Sequence, residues 1–434
     1  MHGDEQAVRA ILMVEGVDTT WRDIHGRTAL SYAAASGKRG NVKALLSLSG
    51  DHKAQLGAQK LGVSGSKAVE VNLEDEYGRT PLSYAAAISG NENIVKALLA
   101  IEGIKVDLPD RNGRTPLSYA AGAFSLSDQN GRACNALKVL LSEAVNVNSK
   151  DREGRTPLHY AVLDGSKEKV TSLLGKGGIE VDLPDIFGRT PLSYAAARSL
   201  LVGYDMDSMH CMPVGHRPTS SDIVQALLDT KAVDVNSKDE DGLTPLSYAV
   251  TRSYTEQTVM ILLRADGVNV DVPDHHGRTP LSYAIQHFGM NTVQALLGTT
   301  GLDINSQDRY GRTPLSYAAA RGKEQVDALL AVDGIKVDLP DRKARTPLSY
   351  AAGCIYDDDC IHLGLRANDS LNKDQKSQTP QSKAAQCSCH TSSVPVLLAT
   401  KAVDINSKDQ EGRTPPFLCC RIRKRRQCEC TPCC

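Results

Sequence analysis

The densest group of residues that could do chemistry is a set of cysteines near the carboxyl end of the chain. Ten of the 12 cysteines lie between Cys354 and Cys434, and Cys387 and Cys389 are followed directly by His390. Thiolates and imidazoles at short spacing are the ligands of tetrahedral zinc sites. Two Cys-x-x-Cys pairs at a fixed interval are absent, so we expect no metal site; a zinc-binding activity in this end is the alternative.

The other titratable residues match no catalytic pattern. The sequence lacks a G-x-x-x-x-G-K-[ST] phosphate loop, a G-x-S-x-G elbow, an H-E-x-x-H helix and the kinase motifs. Its 11 histidines are scattered along the chain. We therefore predict that the protein is not an enzyme and uses no cofactor and no small-molecule substrate.

The most regularly spaced charges are an aspartate and, four residues later, an arginine. The aspartate occurs ten times, at Asp23, Asp75, Asp110, Asp151, Asp185, Asp239, Asp274, Asp308, Asp341 and Asp409. The arginine follows in nine of these places, and Leu243 takes its position in the other. The spacing predicts an ion pair that stabilises a turn, worth less than about 1 kcal/mol when exposed. A row of arginines that binds an acidic partner is the alternative.

These pairs belong to a longer phrase, GRTPLSYAAA, which recurs in recognisable form ten times. Its threonines are Thr28, Thr80, Thr115, Thr156, Thr190, Thr244, Thr279, Thr313, Thr346 and Thr414. The uninterrupted spacings between them are 33, 34 and 35 residues. A period in that range indicates a solenoid of stacked units, each of which buries its apolar face only against a neighbour.

One repeat, read from its first residue, predicts the elements of all of them. Asp308 and Gly311 are typical of a tight turn. Thr313 and Pro314 then fit the N-cap and the first residue of a short helix. The segment Glu324–Val332 has the apolar spacing of a second, amphipathic helix. The sequence therefore predicts an all-α solenoid whose repeat contains a turn, two helices and a β-hairpin arm.

The repeated phrase resembles the ankyrin repeat, whose family pattern runs D-x-x-G-x-T-P-L-H-x-A-A. The resemblance covers nearly the whole chain, and its S-Y variant is similar to arrays common in large fungal proteins. The histidine of the family pattern occurs only as His159, so the threonine–histidine hydrogen bond of the family is expected at most once. The resemblance implies a scaffold or adaptor that binds intracellular proteins through a concave groove, which the turn tips and the exposed face of the first helix form.

The two residues that follow each turn aspartate form the tip of the turn. They vary from repeat to repeat, whereas the repeated phrase around them does not. Aromatic and large apolar tips are the kind of residue that anchors protein interfaces. The candidate partner-binding residues are Tyr77, Ile186, Phe187, His275, His276 and Tyr310. The alternative is that the tips vary because packing does not restrain them. The nine tyrosines of the S-Y positions are predicted to be packing residues.

The arms between repeats fall into two alternating classes. Arms that read VDLPD or VDVPD precede Asp110, Asp185, Asp274 and Asp341, and arms that read VNSKD or INSQD precede Asp151, Asp239, Asp308 and Asp409. The alternation suggests that the array expanded by the copying of pairs of repeats.

Four stretches interrupt the period, at about 49–68, 125–132, 200–220 and 354–393. Inserts in such arrays lie on one face and often bind partners, although polar inserts are usually only disordered. We expect a repeat array over 1–353 that starts its ninth repeat near Asp341, a disordered insert over 354–393, a degenerate last repeat over 394–418 and a Cys- and Arg-rich tail over 419–434. Both ends resemble interrupted repeats, which favours a fragment of a longer protein, such as a NACHT-type signalling receptor.

Composition excludes several other partners. A formal net charge of −1 gives no electrostatic reason to bind nucleic acid or an anionic membrane. No apolar run approaches 18 residues, and the first residues lack the features of a signal peptide. We expect a cytoplasmic location, with a nuclear one as the alternative because Arg421–Arg426 resembles a localisation patch.

Overall fold

The computed structural model describes residues 5–14, 17–47, 70–88, 90–122, 135–197, 220–251, 256–287, 289–352 and 393–415. The four predicted inserts lie outside these residues except at Ser220 and Ser393, which begin helices. The cysteine-rich end and the basic patch also lie outside them. The chain divides into two compact units, residues 1–191 with 217–233 and residues 192–216 with 234–434.

The described residues form 19 helices and contain no strand, which confirms an all-α repeat fold. In chain order the helices are α1 (Glu5–Leu12), α2 (Ala29–Ala35), α3 (Arg39–Leu46), α4 (Pro81–Ala86), α5 (Glu92–Leu99), α6 (Pro116–Ala121), α7 (Asn135–Leu141), α8 (Pro157–Asp164), α9 (Lys167–Leu174), α10 (Pro191–Ala197), α11 (Ser220–Leu228), α12 (Pro245–Val250), α13 (Glu256–Leu263), α14 (Pro280–Gln286), α15 (Met290–Leu297), α16 (Pro314–Ala319), α17 (Lys323–Leu330), α18 (Pro347–Ala352) and α19 (Ser393–Ala399).

The first helix of each repeat begins as the sequence predicts. Thr313 has extended backbone angles, and its hydroxyl accepts a hydrogen bond from the Ser316 N–H at 3.2 Å. Pro314 follows as the first helical residue, where a missing N–H costs nothing. These helices have only six to eight residues. Helices this short are not stable alone in water, so each one depends on packing against its neighbours.

Glycine is favoured in the turn before the first helix for two reasons, as Gly311 shows. Gly311 has a φ of 80°, which residues with a Cβ rarely adopt. A Cβ at this position would also lie 2.9 Å from the backbone nitrogen of Arg342 in the next turn. The ninth repeat has Ala344 here, at a φ of 59°, so the strain expected from the sequence is present.

Within each unit, successive turns are joined by single backbone hydrogen bonds rather than by paired strands. The Arg309 N–H donates to the His276 carbonyl at 2.7 Å, and the Arg342 N–H donates to the Tyr310 carbonyl at 2.8 Å. One such bond at each junction is too few to form a ladder. The predicted hairpin arms are therefore series of tight turns within the described residues.

The two classes of arm make different contacts with the next repeat. In one class, the Asn305 side chain donates to the Gly334 carbonyl at 3.0 Å and accepts from the Lys336 N–H at 2.8 Å. In the other, the Asp338 carboxylate accepts from the Asp404 N–H at 3.0 Å. The asparagines that repeat the first arrangement are Asn72, Asn148 and Asn236, and the aspartates that repeat the second are Asp107 and Asp271. The alternation in sequence is therefore an alternation of two kinds of junction.

Candidate functional site

A single carboxylate organises each turn. The Oδ1 atom of Asp308 accepts the backbone N–H groups of Tyr310 at 2.9 Å and Arg312 at 2.8 Å. Its Oδ2 atom accepts Nε of Arg312 at 2.8 Å and the hydroxyl of Tyr317 at 2.6 Å. Four donors satisfy the carboxylate, so it fixes the turn, the arginine and the first helix together.

The tyrosine hydroxyl is a contact that the sequence did not predict. Eight S-Y tyrosines donate to the aspartate nine residues earlier in the chain: Tyr32, Tyr84, Tyr119, Tyr160, Tyr248, Tyr283, Tyr317 and Tyr350. Burial raises the pKa of Tyr317 above its usual range, so its hydroxyl stays protonated and donates. The constant spacing of nine residues is the signal that could have revealed this bond.

The arginine four residues after each turn aspartate, which we call the scaffold arginine, packs against aromatic rings. The Arg312 guanidinium carbon is 5.0 Å from the centroid of the Tyr317 ring and 4.7 Å from that of the Tyr310 ring. In the first unit, Arg79 lies in the same way between Tyr77 and Tyr84, at 4.8 Å from each centroid. The aromatic tips therefore pack on the scaffold arginine, which supports them through cation–π contacts.

Three of these arginines, Arg114, Arg312 and Arg345, are buried, and the other six are partly exposed. Arg312 and Arg345 are 3% and 4% exposed. Burial acts to lower the pKa of Arg312, but Tyr317 and Asp308 outweigh it and raise the pKa. The predicted ion pair within the turn is thus confirmed. The alternative, a row of scaffold arginines that binds an acidic partner, does not hold where the side chains are buried.

The repeat that carries Leu243 shows what the arginine does. Asp239 keeps the hydrogen bonds from Tyr248 and from the backbone N–H groups of Asp241 and Leu243. Burial nevertheless raises its pKa, the nearby Asp241 carboxylate adds to the effect, and those hydrogen bonds only partly offset it. Because Leu243 supplies no cation, the fold disfavours the charged form of the Asp239 carboxylate.

The single histidine of the family pattern is buried and bonds across a junction. The Thr156 N–H donates to Nδ1 of His159 at 3.1 Å, and Nε2 of His159 lies 3.2 Å from the Arg189 carbonyl. Since Nδ1 accepts, Nε2 carries the proton and donates. Burial lowers the pKa of His159 to about 4, so the ring is neutral at neutral pH.

All three candidate tip residues of the first unit are exposed. Ile186 is 52% exposed, Phe187 46% and Tyr77 49%. Phe187 packs over Arg189, with the ring centroid 4.6 Å from the guanidinium carbon. Trp21, at 73% exposed, is a further exposed apolar residue of this unit that the sequence analysis did not single out.

In the second unit the predicted tips are His275, His276 and Tyr310. The two histidines are exposed, whereas Tyr310 is half-buried. Arg309 and Arg312 lie at 4.9 and 4.7 Å from the Tyr310 ring centroid. The six candidate residues therefore belong to two separate sets, one in each unit.

The resemblance implied that the exposed face of the first helix is a second binding element. For the second unit this prediction is wrong. Every residue of α12, α14, α16 and α18 is buried. In α14, α16 and α18 the tyrosine that would face outward packs against the scaffold arginine and donates to the turn aspartate. In α12, where Leu243 replaces that arginine, Tyr248 still donates to Asp239. In these repeats the turn tips remain as the accessible part of that edge.

Within the described ranges, no group of three or more His, Cys, Asp and Glu side chains could hold a metal ion. None of the helices in that part of the chain is long and apolar enough to cross a membrane.

Comparison with known proteins identifies a family of repeats. The family model described as ankyrin repeats (3 copies) matches residues 53–127, 124–206, 216–308 and 288–363, which together are more than half of the chain. Repeats of this family are generally protein–protein interaction modules and are typically non-enzymatic. No curated protein matches the chain.

Proposed function

The chain belongs to the ankyrin-repeat family, and we propose that it is a non-enzymatic scaffold or adaptor whose turn tips bind partner proteins. The observation that carries this proposal is the exposure of Ile186 and Phe187 on one turn, at 52% and 46%. Large apolar side chains at a surface, held by a rigid scaffold, are the usual anchors of protein interfaces.

The turn that presents these two residues is fixed before any partner binds. The Asp185 carboxylate accepts the Phe187 N–H at 2.9 Å and binds the Arg189 guanidinium. The Ile186 N–H donates to the Glu153 carbonyl of the preceding turn at 2.9 Å. A preorganised turn loses little conformational entropy on binding, which favours affinity.

Affinity capture with the full chain tests the proposal. A variant with Ile186→Ser, Phe187→Ser and Tyr77→Ser should lose its captured partners. Its helical content should not change, because exposed substitutions cost less than about 0.5 kcal/mol each. A control with Asn112→Ser and Arg152→Ser changes two polar tips of the same unit and should keep the partners. Capture of the same proteins in the same amounts by the first variant would contradict the proposal.

A further inference from the structure

Three consecutive tips in the second unit carry basic side chains and no acidic residue. They are the pairs His275–His276, Arg309–Tyr310 and Arg342–Lys343, which we call the cationic tip row. Arg309 and Arg342 are both exposed. The aspartates at the base of these turns are buried and bind the scaffold arginines, so they do not neutralise the tips.

The contacts of the two tip arginines leave their charge available. Nη1 of Arg309 donates to Nδ1 of His276 at 3.0 Å, and the guanidinium packs on the Tyr310 ring. Burial lowers the pKa of His276, and Arg278 and Arg309 lower it further, so this histidine is neutral beside Arg309 at neutral pH. Arg342 makes no ion pair within the residues that the structure describes.

The neighbouring tips limit the row on both sides. The preceding tip is Glu240–Asp241 and the following one is Gln410–Glu411. Glu411 pairs with Arg413 at 2.7 Å but stays largely exposed. Acidic residues at both ends would repel an anionic ligand that extended beyond three repeats.

The spacing of the tips indicates the shape of the ligand. Packed helices of neighbouring repeats lie about 8–10 Å apart. A polyproline II peptide has three residues per turn and rises about 3.1 Å per residue, so it places every third side chain on one face at nearly the same interval. An arginine guanidinium binds a carboxylate with two parallel N–H bonds, which fixes the orientation of the pair.

We propose that the cationic tip row binds an extended acidic segment of a partner protein, with a carboxylate at every third residue. The inference rests on the proposed function, because it names the partner chemistry of the tips in one unit. The row suits a short acidic peptide rather than a long polyanion, since its charge ends after three repeats and the net charge of the chain is −1.

Fluorescence anisotropy with labelled 12-residue peptides and the full chain tests the inference. The first peptide carries glutamate at every third position among proline and alanine, the second has the same composition with its glutamates adjacent, and the third has glutamine instead. We expect the spaced peptide to bind most tightly, the glutamine peptide not to bind, and affinity to fall as salt rises.

Reversing the charge of single residues shows whether the peptide binds at Arg309 and Arg342. The variant Arg309→Glu with Arg342→Glu should weaken binding about a hundredfold, because each change replaces an attraction with a repulsion. The control Arg111→Glu reverses an exposed tip arginine of the first unit and should leave binding unchanged. Circular dichroism of both variants should match that of the parent, because these tips make few packing contacts.

Four results would overturn the inference. These are equal binding of the spaced and adjacent peptides, binding of the glutamine peptide, no effect of the double reversal, and tighter binding of a single-stranded oligonucleotide at the same arginines. If the spaced peptide does not bind while the first-unit tip variant still loses its captured partners, this inference fails and the proposed function stands. If the peptide binds but the first-unit variant keeps its partners, this inference stands, and the proposal that the apolar tips of the first unit anchor partners fails.

Discussion

At the scale of the residue, the aspartate that opens each turn explains why Asp, Arg and Tyr recur together. Its carboxylate receives four hydrogen bonds, from two backbone N–H groups, an arginine and a tyrosine, as Asp308 shows. Losing one donor leaves a buried charge short of a partner, which costs more than an exposed ion pair is worth. Leu243 replaces the arginine of this pattern, and His159 replaces the serine that precedes the tyrosine; each gives a test.

Leu243→Arg should restore the missing cation beside Asp239. Because Asp239 has a raised pKa, its charged form is disfavoured in the fold; this penalty is present above that pKa and disappears as pH falls through it. The substitution should therefore stabilise the protein by about 1 to 2 kcal/mol at neutral pH and by less in acid. Urea unfolding of both proteins at pH 7 and pH 4 measures the difference. A loss of stability at pH 7 would show that the pocket around Leu243 cannot accept a guanidinium.

His159→Ser should remove a pH dependence from the fourth repeat. The pKa of His159 is about 4 in the fold, against its usual value of 6.5, so the unfolded chain takes up the proton first. The stability that depends on the neutral ring is complete above 6.5 and is lost as pH falls towards 4, by about 3 kcal/mol. The difference between the unfolding curves of parent and variant should shrink across this window. A constant difference would mean that the ring titrates normally.

At the scale of the element, the sequence predicted the turn and the two helices of each repeat. The turn, the threonine cap, the proline and both helices follow from local rules that need no distant contact. The bond between Tyr317 and Asp308 and the burial of α16 do not, because both depend on packing between repeats. The alternation of arms was visible in the sequence, yet its cause lies in side-chain bonds such as that of Asn305 to the next repeat.

Ala344→Gly and Gly311→Ala should act in opposite directions. Glycine at position 344 relieves a positive φ and should stabilise the junction to the last repeat by about 1 kcal/mol. Alanine at position 311 adds strain and a Cβ 2.9 Å from the Arg342 nitrogen, so it should cost more than that. Hydrogen exchange of the Gln410 amide, which donates to Lys343, and of the Arg342 amide, which donates to Tyr310, reports on the two junctions. Faster exchange at Gln410 in the Ala344→Gly variant would contradict the strain argument.

Asn305→Asp should cost more than Asp338→Asn. The asparagine both donates to Gly334 and accepts from Lys336, and aspartate can only accept. Asp338 uses one oxygen as an acceptor, and asparagine provides that too. We expect a loss of about 1 to 2 kcal/mol for the first change and less than about 0.5 kcal/mol for the second, measured by urea unfolding. Equal costs would show that the two junctions do not differ in this way.

At the scale of the whole molecule, each unit is a stack of repeats whose invariant parts are internal and whose variable parts are the turn tips. The sequence predicted the tip residues because they vary against a constant scaffold. It did not predict that every residue of helices α12, α14, α16 and α18 would be buried, because that burial depends on contacts that form only in the fold. This burial is why the proposals rest on the tips alone.

The central claim, that partners bind at the tips, is tested most directly by site-specific photocrosslinking. A photoreactive phenylalanine derivative replaces Phe187 in one variant and the exposed Thr171 of helix α9 in a matched control. The account predicts that partner proteins become covalently linked to the variant at position 187 and not to the one at position 171. Crosslinks from position 171 without any from position 187 would contradict it.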